Sequence, residues 1–234
     1  MPEVPNDPKF GSPIRIAVIG VGGTGCALLP LLAVQQIAEV TLVDGDTVEA
    51  VNLPRQLLYA PGDLGKAKVS VAAAAMRAKG DEISWREEFR FVDARNVRDL
   101  LRDQDVVADC TDDLHVRHLI AHTCKEMDIT LVTGAVHEKQ VQVFTRIPKQ
   151  HVAPFFPGHP AEEQEGCDMR AVPAGITTMT AALMSLRIAD LLQGGDGLAG
   201  IMDLLDVDHG RWMRIMGPTA GELMDTPITP SRHV

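Results

Sequence analysis

Arg55, Lys68, Asn52 and Gln56 crowd into one stretch, D-G-D-T-V-E-A-V-N-L-P-R-Q followed by D-L-G-K-A-K, behind two acidic residues, Asp44 and Asp46. A guanidinium grips a phosphate as a bidentate fork, and an ammonium acts on it as a point charge. Two cations with two amides suit phosphate oxygens whose charge grows during a reaction. Both cations are expected to be solvated, so that losing either leaves folding stability almost untouched. Just upstream, Gly20, Gly22 and Gly25 fit G-x-G-x-x-G, with Gly23 inside the motif and Asp44 about 20 residues on. Such glycines permit a tight turn and bring a phosphate close to backbone N–H groups, where a helix N-terminus favours negative charge. An acid placed like Asp44 holds a ribose hydroxyl.

These residues need a strand before the glycines, a helix after them and a second strand ending at Asp44. The apolar run 14–19, the helix-forming run from Cys26 and the apolar run 40–43 supply all three. A further buried strand is expected over 105–110, V-V-A-D-C, ending at Thr111-Asp112-Asp113. The carboxyl ends of parallel strands line the ligand crevice, so Asp112 falls on the rim with Asp44. Asp112 could instead cap the helix that follows.

Helices are also expected over 63–79, 97–102, 115–126 and 174–192. Strands are expected over 83–91, 129–136, 140–146, 201–207 and 211–216, the last two as a hairpin turning at Gly210. Trp85 and Phe89 share one face at period two, which predicts packing. His115, His118 and His122 recur at helical spacing and read as a solvated face in preference to a metal site. The fold class is therefore α/β and Rossmann-like: a mostly parallel sheet with antiparallel strands added on the C-terminal side. A loose arm at 1–13, a single domain at 14–217 and a tail at 218–234 complete the expected organisation.

Together, G-x-G-G-x-G, D-x-D-x-V-x-x-x-N-L-x-R-Q, D-x-G-x-x-K and C-T-D resemble the ThiF/MoeB/HesA family, the bacterial relatives of ubiquitin-activating enzymes. The resemblance covers about residues 14–216. It implies adenylation by ATP of the C-terminal glycine of a small ubiquitin-fold carrier ending in Gly-Gly, with release of pyrophosphate. It further implies that Gly23 lies against the phosphates and that Asp44 holds the ribose. Asn52, Arg55 and Lys68 would contact the triphosphate, and Asp112 would help hold Mg²⁺. A homodimer is implied too, for which the apolar segment 174–192 could supply surface. The Pro- and Gly-broken segment 148–173 would cross over the active site and guide the carrier's tail. It holds Cys167, in E-G-C-D-M-R, where some members use a cysteine for sulfur transfer or a carrier linkage and others do not need theirs. The acidic neighbours Glu165 and Asp168 disfavour a thiolate there, whereas Arg170 favours it. Two departures stand out. The paired zinc cysteines are missing, so no structural zinc site is expected. No Arg precedes Arg15, whereas many members supply an Arg from the partner's N-terminal arm; here Lys9 is the alternative.

Composition sets outer limits. The 234 residues carry a net charge of −10, which argues against broad nucleic-acid binding. The four cysteines, Cys26, Cys110, Cys124 and Cys167, are widely spaced with no C-x-x-C. Cys26 and Cys110, in apolar contexts, are expected to be buried and reduced, which fits the cytoplasm. MPEVPNDPKFGSP has no apolar signal core, and no run of about 18 apolar residues predicts a membrane span. Two other function classes fit parts of the pattern. An NAD-dependent oxidoreductase needs only the glycine loop and Asp44, and leaves Asn52, Arg55, Lys68 and Asp112 unexplained. A non-catalytic module of the same fold would hold a carrier or partner without turnover.

Overall fold

The computed structural model describes residues 14–80, 82–149 and 171–216. The expected arm at 1–13, most of the crossing segment with Cys167, and the tail at 218–234 lie outside them. Strands β1 (Arg15–Ile19), β2 (Glu39–Val43) and β4 (Val106–Asp109) are apolar on both faces and almost fully buried, as central parallel strands must be. β3 (Ser84–Glu88) pairs with β2 at one edge, and β5 (Thr130–His137) pairs with β4. β6 (Gln140–Arg146), β7 (Ile201–Asp206) and β8 (Arg211–Met216) then add on antiparallel. The single eight-stranded sheet has the order β3-β2-β1-β4-β5-β6-β7-β8. This is the expected mostly parallel sheet with antiparallel strands on its C-terminal side.

Helices α1 (Gly23–Leu32), α2 (Lys68–Arg77) and α5 (Ala174–Leu192) share one large apolar core with one sheet face. α3 (Val97–Leu101) and α4 (Leu114–Glu126) bury a smaller cluster on the other. α5 lies close enough to the sheet that a Cβ at Gly134 would sit 2.3 Å from Met184 Sδ. By length and composition α5 is long and apolar enough to cross a membrane, although no run of about 18 apolar residues predicts a span. Here it is a core helix whose Arg187, 3% exposed, donates to Asp203 of β7 at 2.7 Å. Most of its apolar surface is used inside the fold, and Leu186 and Met179 are the large apolar side chains it leaves exposed. The expectation that this helix supplies a dimer surface therefore loses most of that surface.

Several boundaries differ from expectation. The helix expected over 63–79 begins only at Lys68. Before it, Pro61–Asp63 makes a single 3₁₀ turn, Asp63 Oδ2 accepts from Ala60 N, and Gly65 takes φ +79°. A bridge between Thr47 and Ala67 then holds the chain extended up to the helix start. The strand expected over 83–91 stops at Glu88, where its partner β2 ends at Val43. Trp85 is buried as predicted, but Phe89 lies past the last pairing and is exposed. The β7–β8 hairpin forms as read, with Gly210 at φ +59°.

Candidate active site

A cleft of about 1390 Å³ opens at the carboxyl ends of the parallel strands, where the chain leaves β1 for one side of the sheet and β4 for the other. Gly20, Gly22, Gly23, Asp44, Asp46, Asn52, Arg55, Gln56, Lys68 and Asp112 all line it. Of the predicted residues, Gly25 does not line it, and Cys167 lies outside the described residues. Most of the predicted constellation, drawn from the three connections that follow β1, β2 and β4, is thus brought into one cavity.

The glycines divide by role. Gly20 adopts φ +86°, and a Cβ on it would meet the Cys110 carbonyl at 3.0 Å. A Cβ on Gly25 would lie 2.1 Å from the Gly20 carbonyl oxygen, so this glycine seats α1 against the end of β1. Gly23 packs against Thr177 of α5, at 2.9 Å from a built Cβ to Cγ2. At Gly22 a Cβ would meet only Gln56 Nε2, at 3.6 Å, so the missing side chain leaves cleft space. Gly22 is also the N-cap of α1, with no side-chain cap and no acid in the first turn. An anion beside Gly22 would meet the positive end of the helix.

Lys68 corrects the sequence reading. It is 3% exposed, and its Nζ lies 2.8 Å from Asp46 Oδ2. It is therefore a buried, positioned cation and not a solvated one. Asp46, expected to meet the nucleotide, acts here as the counter-charge that holds Lys68. Arg55 is half-buried and donates to Asn52 Oδ1 at 2.6 Å and to the Val51 carbonyl at 3.3 Å. Gln56 is buried with its Oε1 unpartnered among the described residues.

The two acids after β4 separate cleanly. Asp113 caps α4, accepting from the N–H groups of His115 at 2.8 Å and Val116 at 3.1 Å. Asp112 is thus not the cap; it is exposed on the cleft rim. Beneath it, Asp109 is fully buried and accepts from Thr111 Oγ1 at 2.7 Å and Thr133 Oγ1 at 2.8 Å. Arg117 of α4, 5% exposed, stands 3.5 Å from Asp109 and donates to Thr133 Oγ1 and to the Thr111 and Gly134 carbonyls. Arg117 thereby ties the ends of β4 and β5 together under the cleft. Neither residue was singled out in the sequence, although an acid inside V-V-A-D-C was a visible signal. On the same helix His115 and His122 are exposed and His118 is half-buried.

Asp44 accepts the N–H of Val21 at 2.7 Å and of Asp46 at 2.8 Å, so it organises the glycine loop as well as facing the cleft. Burial pushes its carboxyl above the usual carboxylate range, against the hydrogen bond from Asp46 and the charge of Lys68. The one tyrosine, Tyr59, donates to the Val21 carbonyl at 2.7 Å and joins the loop after Gln56 to the glycine turn. Cys26 also donates to that carbonyl, and burial pushes its thiol up to about 12. Cys110 is half-buried on the cleft wall, and burial raises its thiol as well. Neither is poised as a nucleophile.

The arrangement fits a nucleoside triphosphate. It offers open space at Gly22, an uncapped helix N-terminus, a rigid lysine and a fork-shaped arginine. It fits a divalent ion only alongside phosphate oxygens. Among the described residues, no group of three or more His, Cys, Asp or Glu is placed to hold a metal, and Asp112 would contribute one ligand.

The ThiF family model matches residues 12–218. The SAMP-activating enzyme E1 of Haloferax volcanii is 34% identical over 134 residues, 57% of this chain and 50% of that protein. The adenylyltransferase and sulfurtransferase MOCS3 of Sus scrofa is 31% identical over 204 residues, 86% of this chain and 45% of that protein. The molybdopterin-synthase adenylyltransferase of Escherichia coli is 35% identical over 133 residues, 56% of this chain and 53% of that protein. The chain spans about half the length of these curated relatives. Among solved structures, E. coli MccB with ATP shares the fold at a TM-score of 0.73 and 20% identity, covering 88% of this chain and 65% of that one.

Proposed function

Because the chain belongs to the ThiF family, we propose that it adenylates the C-terminal glycine of a small ubiquitin-fold carrier with ATP and releases pyrophosphate. The observation that carries this reading is the convergence of Gly22, Asp44, Arg55, Lys68 and Asp112 on one cleft. Relatives named as adenylyltransferases and as a SAMP-activating enzyme support it. A carboxylate oxygen of the carrier attacks the α-phosphorus, and the bond to the bridging oxygen of pyrophosphate breaks. The carboxylate is already ionised near neutral pH, so no general base is required. Charge accumulates on the phosphate oxygens, and Lys68, Arg55 and the N-terminus of α1 stabilise it from fixed positions. Asp44 takes the ribose, and Asp112 would hold Mg²⁺, which neutralises phosphate charge when bound. Beyond the rim, the cleft continues past Gly134, Ala135 and Val136 of β5 and Gln142 of β6, a path for the extended tail ending in Gly-Gly. A homodimer working in the reducing cytoplasm completes the proposal.

The test is carrier-dependent exchange of labelled pyrophosphate into ATP. Exchange is expected only when carrier, ATP and Mg²⁺ are all present, and NAD is not expected to compete. Tight NAD binding without ATP binding would replace this reading with an oxidoreductase. ATP and carrier binding without exchange would leave a non-catalytic module.

Cys167 is expected to be dispensable for this step, since adenylation needs no thiol. Cys167→Ser should keep exchange within about threefold of wild type, below the tenfold that about 1.4 kcal/mol of barrier produces. Any defect belongs to a later, thiol-sensitive adduct, visible in the intact mass of the complex. Collapse of exchange in a folded variant would place Cys167 in the adenylation step.

A further inference from the structure

Phe91 is 66% exposed, yet its position is fixed. It follows the end of β3, lines the cleft together with Asp44 and Gly45, and its carbonyl accepts from Asn96 Nδ2 at 2.8 Å. Its ring lies across the backbone of Gly45. A Cβ built on Gly45 would fall 2.6 Å from both Cγ and Cδ2 of the ring and 2.8 Å from Cε2. Gly45 is not among the glycines at positive φ, so its backbone does not demand glycine. The ring does. One surface of the phenyl is therefore pressed on the chain, and the side chain remains largely open beside Asp44. Phe89, two residues earlier, is also exposed but does not line the cleft, so exposure alone does not mark the feature.

A large apolar ring held open next to a ribose-binding acid is out of place unless something planar covers it. In a nucleoside triphosphate the base is attached to the ribose that Asp44 would hold. We infer that Phe91, seated on Gly45, is the aromatic wall of the nucleobase subsite and stacks on the base of the bound nucleotide. The inference rests on the adenylation reading and adds a base-binding residue to it. Stacking on aromatic side chains tolerates any base, so Phe91 supplies affinity for the base as a class and leaves the choice of base to other groups.

The experiment is titration calorimetry with two probes in the presence of Mg²⁺: ATP, and inorganic tripolyphosphate, which lacks sugar and base. Phe91→Ala should weaken ATP binding about tenfold or more, the scale of losing one base–aromatic stack. Tripolyphosphate binding should change less than about twofold. Phe91→Trp should restore ATP binding. Gly45→Ala should weaken ATP like Phe91→Ala, because the new methyl displaces the ring, and the double variant should be little worse than Phe91→Ala alone. Unchanged ATP affinity in Phe91→Ala would overturn the inference. So would an equal loss for both probes, which would signal a distorted cleft. A wild type that binds tripolyphosphate but not ATP would overturn the inference and the adenylation reading together. ATP binding that depends on Phe91, without carrier-dependent exchange, would overturn the adenylation reading alone.

Discussion

Alanine at Arg55 or Lys68 is expected to slow carrier-dependent pyrophosphate exchange about a hundredfold or more, the scale of removing one preorganised donor from a developing oxyanion. The two variants should differ in stability. Arg55 is half-buried and, among the described residues, bonds only to its own turn, at Asn52 and Val51, so its loss should leave the melting temperature near wild type. Lys68 is 3% exposed, and its stem is packed where the chain enters α2. Its partner Asp46 is half in water, so the carboxylate left behind can hydrate. Lys68→Ala should therefore lower the melting temperature by a few degrees, mostly through lost packing. Lys68→Met keeps the stem and removes the charge; it should melt like wild type and still fail to exchange. Wild-type exchange rates in both alanine variants would remove these residues from the chemistry.

The largest stability effect is expected at Arg187. Its guanidinium donates to Thr145 Oγ1, to the carbonyls of Gly197, Leu198 and Ile201, and to Asp203 Oδ2. Asp203 also accepts from Trp212 Nε1 and Arg214 Nε, both at 3.0 Å, so one buried pair fixes α5 and both strands of the last hairpin. Removing Arg187 leaves Asp203 with Arg214 as its remaining cation and strips the Thr145 hydroxyl and three carbonyls of their donor, a loss of about 3 kcal/mol, the low end for breaking a buried pair. Arg187→Ala should lose about that much in denaturant titration. The pH dependence has a definite sign. Burial pushes the Asp203 carboxyl up, but hydrogen bonds from Arg187, Trp212 and Arg214 outweigh it and hold the carboxyl below its ordinary 3.8. Its contribution is thus fully present above pH 3.8 and is lost as pH falls through the lower folded value. Arg187→Ala should flatten that acid slope. A variant as stable as wild type would mean that the network adds nothing to the fold.

Elements with strong periodicity or punctuation were legible in the sequence. The glycine motif, the apolar strands and the run from D-G-D to N-L-P-R-Q predicted the sheet and eight residues of the cleft lining, to which Lys68 and Asp112 add two more. What escaped depends on contacts between distant residues. The run from 63 looked helical because its composition is helical. The Asp63 side-chain turn and the Thr47–Ala67 bridge overrule that propensity until Lys68. Lys68 looked solvated because lysines usually are; its partner Asp46 lies 22 positions away. Two adjacent acids after a strand look equivalent on paper, and only the backbone geometry makes Asp113 the cap and frees Asp112. Arg117 was invisible for the same reason, since its partners are carbonyls at the ends of two strands.

The strand order also equips the molecule optically. The chain has two tryptophans, and they sit at opposite margins of the sheet: Trp85 in β3 and Trp212 in β8. Seven interstrand steps of about 4.8 Å place them roughly 34 Å apart along the sheet. Trp85 is 4% exposed and should emit at the blue end of the indole range. Trp212, 56% exposed, should emit toward the red. Unlabelled protein thus carries two spectrally distinct beacons, one beside the parallel half and one on the terminal hairpin. A red-edge change that precedes the blue-edge change on heating would report the hairpin fraying while the parallel half still stands.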